Sequence, residues 1–158
     1  MDGWNALVAV HVLAAVVGIG PTFAYHAFLR PNQTARQLLF SLAALRSLDR
    51  FPKIGGPIAV LSGIALVAAY DYGGIRQLWL SGGLLLFVAV QVVVVGLAGA
   101  PQKTLAAWSA SAAEQPEPVV PLEVREALRK MNVYMWWAHA LAVLLFLLMI
   151  VKPAAPLW

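Results

Sequence analysis

The sequence predicts an all-α protein: a four-helix transmembrane bundle with an amphipathic cytoplasmic segment. Three observations carry that expectation. Hydrophobic residues make up 61% of the chain and charged residues only 11%, where soluble domains carry about a quarter charged. Four apolar runs, about residues 4–29, 54–70, 78–100 and 131–151, are each long enough to cross a hydrocarbon layer of ~30 Å at ~1.5 Å per residue, the second being short. The basic residues fall between those runs in an uneven way, and this asymmetry sets the orientation. The first connection holds Arg30, Arg36, Arg46, Arg50 and Lys53, and the third holds Lys103, Arg125, Arg129 and Lys130. The second connection has only Arg76 and the tail only Lys152. Connections one and three are therefore expected in the cytoplasm and both termini outside, in a multi-pass protein of the cell inner membrane or plasma membrane.

Several classes are excluded at once. The formal net charge is +4, but the cations sit beside apolar runs rather than in one patch, so no nucleic-acid partner is expected. There are no cysteines, which removes disulfides, thiol chemistry and cysteine-held clusters. No Walker, Rossmann or zinc-protease motif is present. Met1-Asp2-Gly3-Trp4 lacks the basic start of a signal peptide, so the first run is read as a retained span.

The first run, Ala6–Leu29, carries His11 and His26, a line of small residues and an interior proline, Pro21. Proline removes a backbone donor and should kink the helix there. Thr34–Phe51 repeats Leu38, Leu42 and Leu45 at helical spacing, with Arg36, Ser47 and Arg50 on another face. It reads as an interfacial amphipathic helix or as an inner extension of span two. Span two has small residues at Gly55, Ala59 and Gly63, a spacing of four that permits close helix contact. Tyr70-Asp71-Tyr72-Gly73-Gly74 is a tight turn that makes spans two and three an antiparallel hairpin. Span three is nearly pure Leu and Val, with Gln91 its one strongly polar interior residue, and it is expected to break near Gly99-Ala100-Pro101. Ala106–Ala113 is rich in Ala and Ser, and Glu114–Pro121 has three prolines, a stiff linker. A helix should then run from about Leu122 through span four to Lys152-Pro153. Trp4, Trp79 and Trp158 are expected at the outer interface, and Trp108, Trp136 and Trp137 at the inner one.

An ionisable side chain within a span is costly, which makes His11, His26 and His139 the candidate cofactor-binding residues. On an ideal helix His26 lies ~22 Å beyond His11 and within about 60° of it around the axis, so both should share a face with Ala14, Ala15, Gly18 and Thr22. His139 lies nearer His26 in depth, so a pair across spans one and four is sterically feasible. Histidines facing each other from two helices are one way to hold haem b, and His11 could instead be a single axial ligand. The bland readings are an interfacial histidine for His26 and a core histidine, bonded to a carbonyl or to Gln91, for His139. With no carboxylate or cysteine in the spans, a zinc site is not expected.

His11-Val12-Leu13-Ala14-Ala15 with Gly18-x-Gly20, and the close Leu147-Leu148-Met149-Ile150-Val151-Lys152-Pro153, resemble small bacterial membrane families. In length and layout the chain is similar to an uncharacterised family of four-span predicted integral membrane proteins. More distantly it resembles the copper-resistance D family and the membrane-bound, haem-containing protoporphyrinogen oxidase. The oxidase resemblance implies that His11 is a haem-iron ligand. That oxidase also has a lysine in a later span, whereas span three here has neither lysine nor histidine, so the resemblance extends to haem binding rather than to the oxidase activity.

Three functions remain in order. The first is a haem-associated membrane protein, in redox chemistry or haem handling, with His11 or the His26/His139 pair as haem-iron ligands. The second is a non-enzymatic accessory or scaffold subunit, in contact with another membrane subunit or a second copy of itself. The third is a small copper transporter, ranked last because Met131, Met135 and Met149 are dispersed. The lipid bilayer is the partner common to all three.

Overall fold

A computed structural model describes residues 3–70 and 76–153. The expected turn at Asp71–Gly74 and the interfacial Trp158 lie outside the described residues. Within them every regular element is helical. In chain order these are α1 (Gly3–Ile19), a 3₁₀ segment (Gly20–Phe23), α2 (Ala24–Phe28), α3 (Ala35–Leu48) and α4 (Arg50–Ala69). Then come α5 (Leu78–Gln91), a π-helical segment (Val92–Leu97), α6 (Gly99–Ala112) and α7 (Leu122–Val151).

Four stretches are long and apolar enough to cross a membrane: Gly3–Phe28, Ala35–Ala69, Leu78–Leu97 and Leu122–Val151. At most 22% of the most apolar window of any of them is buried inside the protein. The remaining apolar surface needs lipid as its solvent, because water would leave it far more exposed than a folded chain tolerates. This is an integral membrane protein.

The helices are arranged as two antiparallel pairs, α1 with α4 and α5 with α7. Each pair is latched where the chain's described ends lie. Trp4 meets Tyr70 edge-on at 6.5 Å, and the Lys152 ammonium sits 5.3 Å from the centre of the Trp79 ring. At the opposite end, which carries connections one and three, the pairs are joined by one apolar core. It is built from Leu29, Leu38, Leu45, Leu105, Trp108, Ala112 and the stripe Val124, Ala127, Leu128, Met131, Met135 of α7. That stripe repeats every three or four residues and so falls on one face of the helix.

Local chemistry explains the elements. Thr34 caps α3, its hydroxyl accepting from the Gln37 amide while its own amide donates to Gln37 Oε1, a reciprocal capping box. Only Asp49 separates α3 from α4, in helical conformation, so the Thr34–Phe51 segment is an inner extension of span two. Tyr25 donates to Asp49 Oδ1 at 3.1 Å and ties α2 to this junction. α7 stops at Lys152, whose φ of 43° is left-handed, before Pro153, which cannot continue a helix.

Three sequence expectations change. Span three widens into the π segment, closes at Leu97 and bends at Ala98, close to the expected break, but the chain re-enters helix at once as α6, with Pro101 in the first turn, where a missing amide is harmless. The Ala/Ser stretch expected as linker completes α6, since alanine favours helix wherever a packing surface exists. Trp108 is a core residue at 8% exposure, with its indole donating to Val119 O at 3.1 Å. Trp136 and Trp137 are 65% and 63% exposed.

α1 and α4 touch backbone to backbone. A methyl group on Gly55 would stand 2.6 Å from Gly18 N and 2.7 Å from Ala14 O, whereas one on Gly56 would meet nothing within 4 Å. Gly55→Val is expected to cost about 1–3 kcal/mol. Gly56→Ala is expected to be neutral or stabilising by up to about 1 kcal/mol. Reversible unfolding in mixed micelles measures both, and similar losses at the two positions would refute the contact.

Candidate functional site

The three intramembrane histidines form two separate sites. His11 stands on α1 against α4. Its Nδ1 lies 2.8 Å from Ala59 O and 3.2 Å from Ser62 Oγ. A carbonyl only accepts, so the proton of a neutral His11 is on Nδ1 and the lone pair on Nε2. Ser62 spends its own hydroxyl proton on Ile58 O at 2.6 Å. Gly63 makes room for the ring: a methyl there would lie 3.0 Å from Cε1. Gly55, Ala59 and Gly63 are therefore used together, the first for the backbone approach, the second as carbonyl acceptor, the third as clearance for the imidazole. His11 Nε2 has no hydrogen-bond partner among the described residues and is not enclosed by them.

His26 and His139 meet across α2 and α7. His26 Nε2 and His139 Nδ1 are 2.8 Å apart, with ring centres 4.8 Å apart and planes at 70°. His139 Nε2 lies 2.9 Å from Thr22 Oγ1, and Thr22 donates its hydroxyl proton to Ile19 O at 2.6 Å. Because that single proton is committed, His139 donates through Nε2 and accepts at Nδ1 from His26. The result is a directed chain: His26 to His139 to Thr22 to the Ile19 carbonyl. The rings are clamped by stacking, His139 on Phe23 and His26 on Trp136, each at 4.2 Å and 28°. His139 is 5% exposed. At the free end of the chain, His26 Nδ1 is buried without a partner.

The backbone explains why the histidines separate. Gly20–Phe23 is 3₁₀-helical with Pro21 inside it, so the regular α-helical ladder is interrupted at that proline. A 3₁₀ turn takes ~3.0 residues, so each of these positions advances by about 120° rather than 100°. His26 then stands roughly 140° from His11 around the axis, not 60°. His11 faces α4, His26 faces α7, and the expected common face is not formed. The pairing of His26 with His139 and the inward position of Thr22 were legible from depth and spacing. Ser62 was missed, although it is the one aliphatic hydroxyl of its apolar run and that isolation was its signal. Gln91 is exposed and does not reach His139.

The fit of a haem can be judged at each site. A metal–imidazole bond is about 2.0–2.1 Å, so an iron between two histidines holds their nitrogens roughly 4 Å apart. His26 and His139, directly hydrogen-bonded at 2.8 Å, leave no room for the group between them as packed. At His11 the ring geometry is that of a possible ligand and nothing more is shown. One nitrogen is anchored by a backbone carbonyl, which fixes ring and tautomer, and the other offers a lone pair. No cluster of three or more His, Cys, Asp or Glu able to hold a metal ion occurs among the described residues.

Residues 5–153 match a family described as "Predicted integral membrane protein (DUF2269)", and the chain belongs to that family. No curated protein and no solved structure matches it.

The directed chain is testable through Thr22. Thr22→Val removes the acceptor for a buried imidazole N–H and is expected to destabilise the fold by about 1–3 kcal/mol. Thr22→Ser keeps the oxygen and should lose less than about 1 kcal/mol. Unfolding in micelles gives both values, and equal losses would contradict the assigned bond.

Proposed function

We propose that this membrane protein is haem-associated, in redox chemistry or haem handling, and that His11 supplies the axial ligand to a b-type haem through Nε2. One observation carries the reading: His11 Nδ1 is held by the Ala59 carbonyl at 2.8 Å while Nε2 is unbonded. Metal-ligating histidines characteristically have one nitrogen fixed by a carbonyl or carboxylate and the other directed at the metal. A histidine retained in a span without such a task would be an expensive packing residue. The distant resemblance of the first span to the haem-containing oxidase points to the same residue.

When bound, the haem would supply one-electron chemistry or be the cargo. The chain's own residues do the rest. α4 sets the imidazole plane through Ala59 and the Gly63 clearance. The His26–His139–Thr22 chain is a proton-sharing device at a distance from that ligand. Its buried free nitrogen on His26 can take or release a proton without moving a helix. Connections one and three, rich in Lys and Arg, face the cytoplasm in this reading, so His26 and His139 lie toward that side and His11 toward the other. Copper transport has no support from a ligand cluster.

The absorption spectrum of protein purified after expression with haem supply tests the reading. A Soret band is expected. His11→Ala should reduce it at least about tenfold, and His26→Ala should leave it largely intact. No band in the parent protein, or equal retention in both variants, overturns the assignment.

A further inference from the structure

Gln91 ends α5 within the 20-residue apolar span Leu78–Leu97, roughly 20 Å along it from Leu78. Its side chain is exposed and forms no hydrogen bond with the described residues. In water such an amide would be unremarked. In hydrocarbon it is left with two N–H donors and a carbonyl and nothing to bond, an expensive condition for a polar group. The amide does not stand alone. Leu84, Val88 and Val95 are 60%, 49% and 69% exposed, and with Gln91 they are spaced 4, 3 and 4 residues apart. That is the spacing of a helix seam. The opposite side of α5 is already used. Gly82 and Gly83 receive Leu148, Leu145 and Met149 of α7, while neither α1 nor α4 packs along α5. The π segment begins at Val92, the next residue, and such wide turns recur at functional positions.

We infer that the Leu84–Val88–Gln91–Val95 face of α5 is the contact surface for a second copy of this chain, pinned by a Gln91–Gln91 hydrogen-bonded pair. The second copy is favoured by the chemistry of the amide. A carboxamide is self-complementary: across a twofold axis one N–H of each donates to the other's carbonyl, so each amide gains a donor and an acceptor partner in one symmetric contact. Lipid tails offer neither donor nor acceptor. The apolar residues above and below then pack as a short seam, and the polar pair fixes its register, as a single buried polar residue does in helix dimers. The haem reading is not required for this interface.

The absence of cysteine from the chain makes a clean test. Val88→Cys introduces a single thiol on the seam and leaves Gln91 in place. Oxidation in native membranes is expected to give a disulfide-linked species of twice the chain's mass. Adding Gln91→Leu, an apolar change that the span tolerates, should lower that fraction at least about fivefold at equal oxidation time. Ile150→Cys, at 77% exposure on α7, should stay monomeric. Undiminished cross-linking with Gln91→Leu, a monomeric Val88→Cys protein, or a cross-linked species containing a different chain would each overturn the proposal.

Discussion

The contact on which the rest depends is the backbone approach of α1 to α4 at Gly18 and Gly55. No side chain fits between them. In a bilayer there is little hydrophobic force between helices, so packing contact and interhelical hydrogen bonds hold a pair together. Only at glycine-to-glycine separation can the imidazole of His11 reach a carbonyl of the neighbouring helix, and Ala59 O is 2.8 Å away. The same closeness needs Gly63 two turns further along, where a methyl would crowd the ring. A single stripe of small residues thus sets both the helix spacing and the tautomer of the histidine.

The second determinant is Pro21. A regular helix would have aimed His26 close to the direction of His11 and toward the same neighbour. The 3₁₀ segment adds enough twist to turn His26 onto α7, where His139 and Trp136 receive it. The carbonyl of Ile19, which leads into that tighter segment, takes the Thr22 hydroxyl. The backbone irregularity and the hydrogen-bonded chain are therefore one feature. The proline loosens the ladder, the threonine closes part of it, and the histidine pair completes the network on the threonine.

Much of this was legible in the sequence. Hydropathy and the Lys/Arg distribution gave four spans and the membrane class, because bilayer thickness is a strong constraint on apolar run length. The Gly55–Ala59–Gly63 spacing announced a close helix contact, and depth alone paired His26 with His139. What could not be read was twist and continuity. Ideal 100° steps misplace any residue beyond a 3₁₀ turn. Alanine and serine between Ala106 and Ala113 do not reveal whether a surface exists for them to pack on, and α7 supplies it. Trp108 likewise looks interfacial by composition and is drawn into the core by that same surface.

The intramembrane polar groups form a graded series, and the grading bears on function. Thr22 and His139 are fully engaged, each ring nitrogen and the hydroxyl having a partner. That network is what structure alone would produce, and it is closed except at His26 Nδ1. His11 is engaged at one nitrogen and open at the other. Gln91 is engaged by none of the described residues. A polar group left open in hydrocarbon destabilises the chain unless something outside the chain meets it. The open positions differ in kind: an imidazole lone pair suits a metal, whereas a carboxamide suits another carboxamide and binds metals poorly. His11 and Gln91 therefore suit different complements: the imidazole lone pair the cofactor proposed at α1, the carboxamide the protein surface proposed at α5. Neither can substitute for the other.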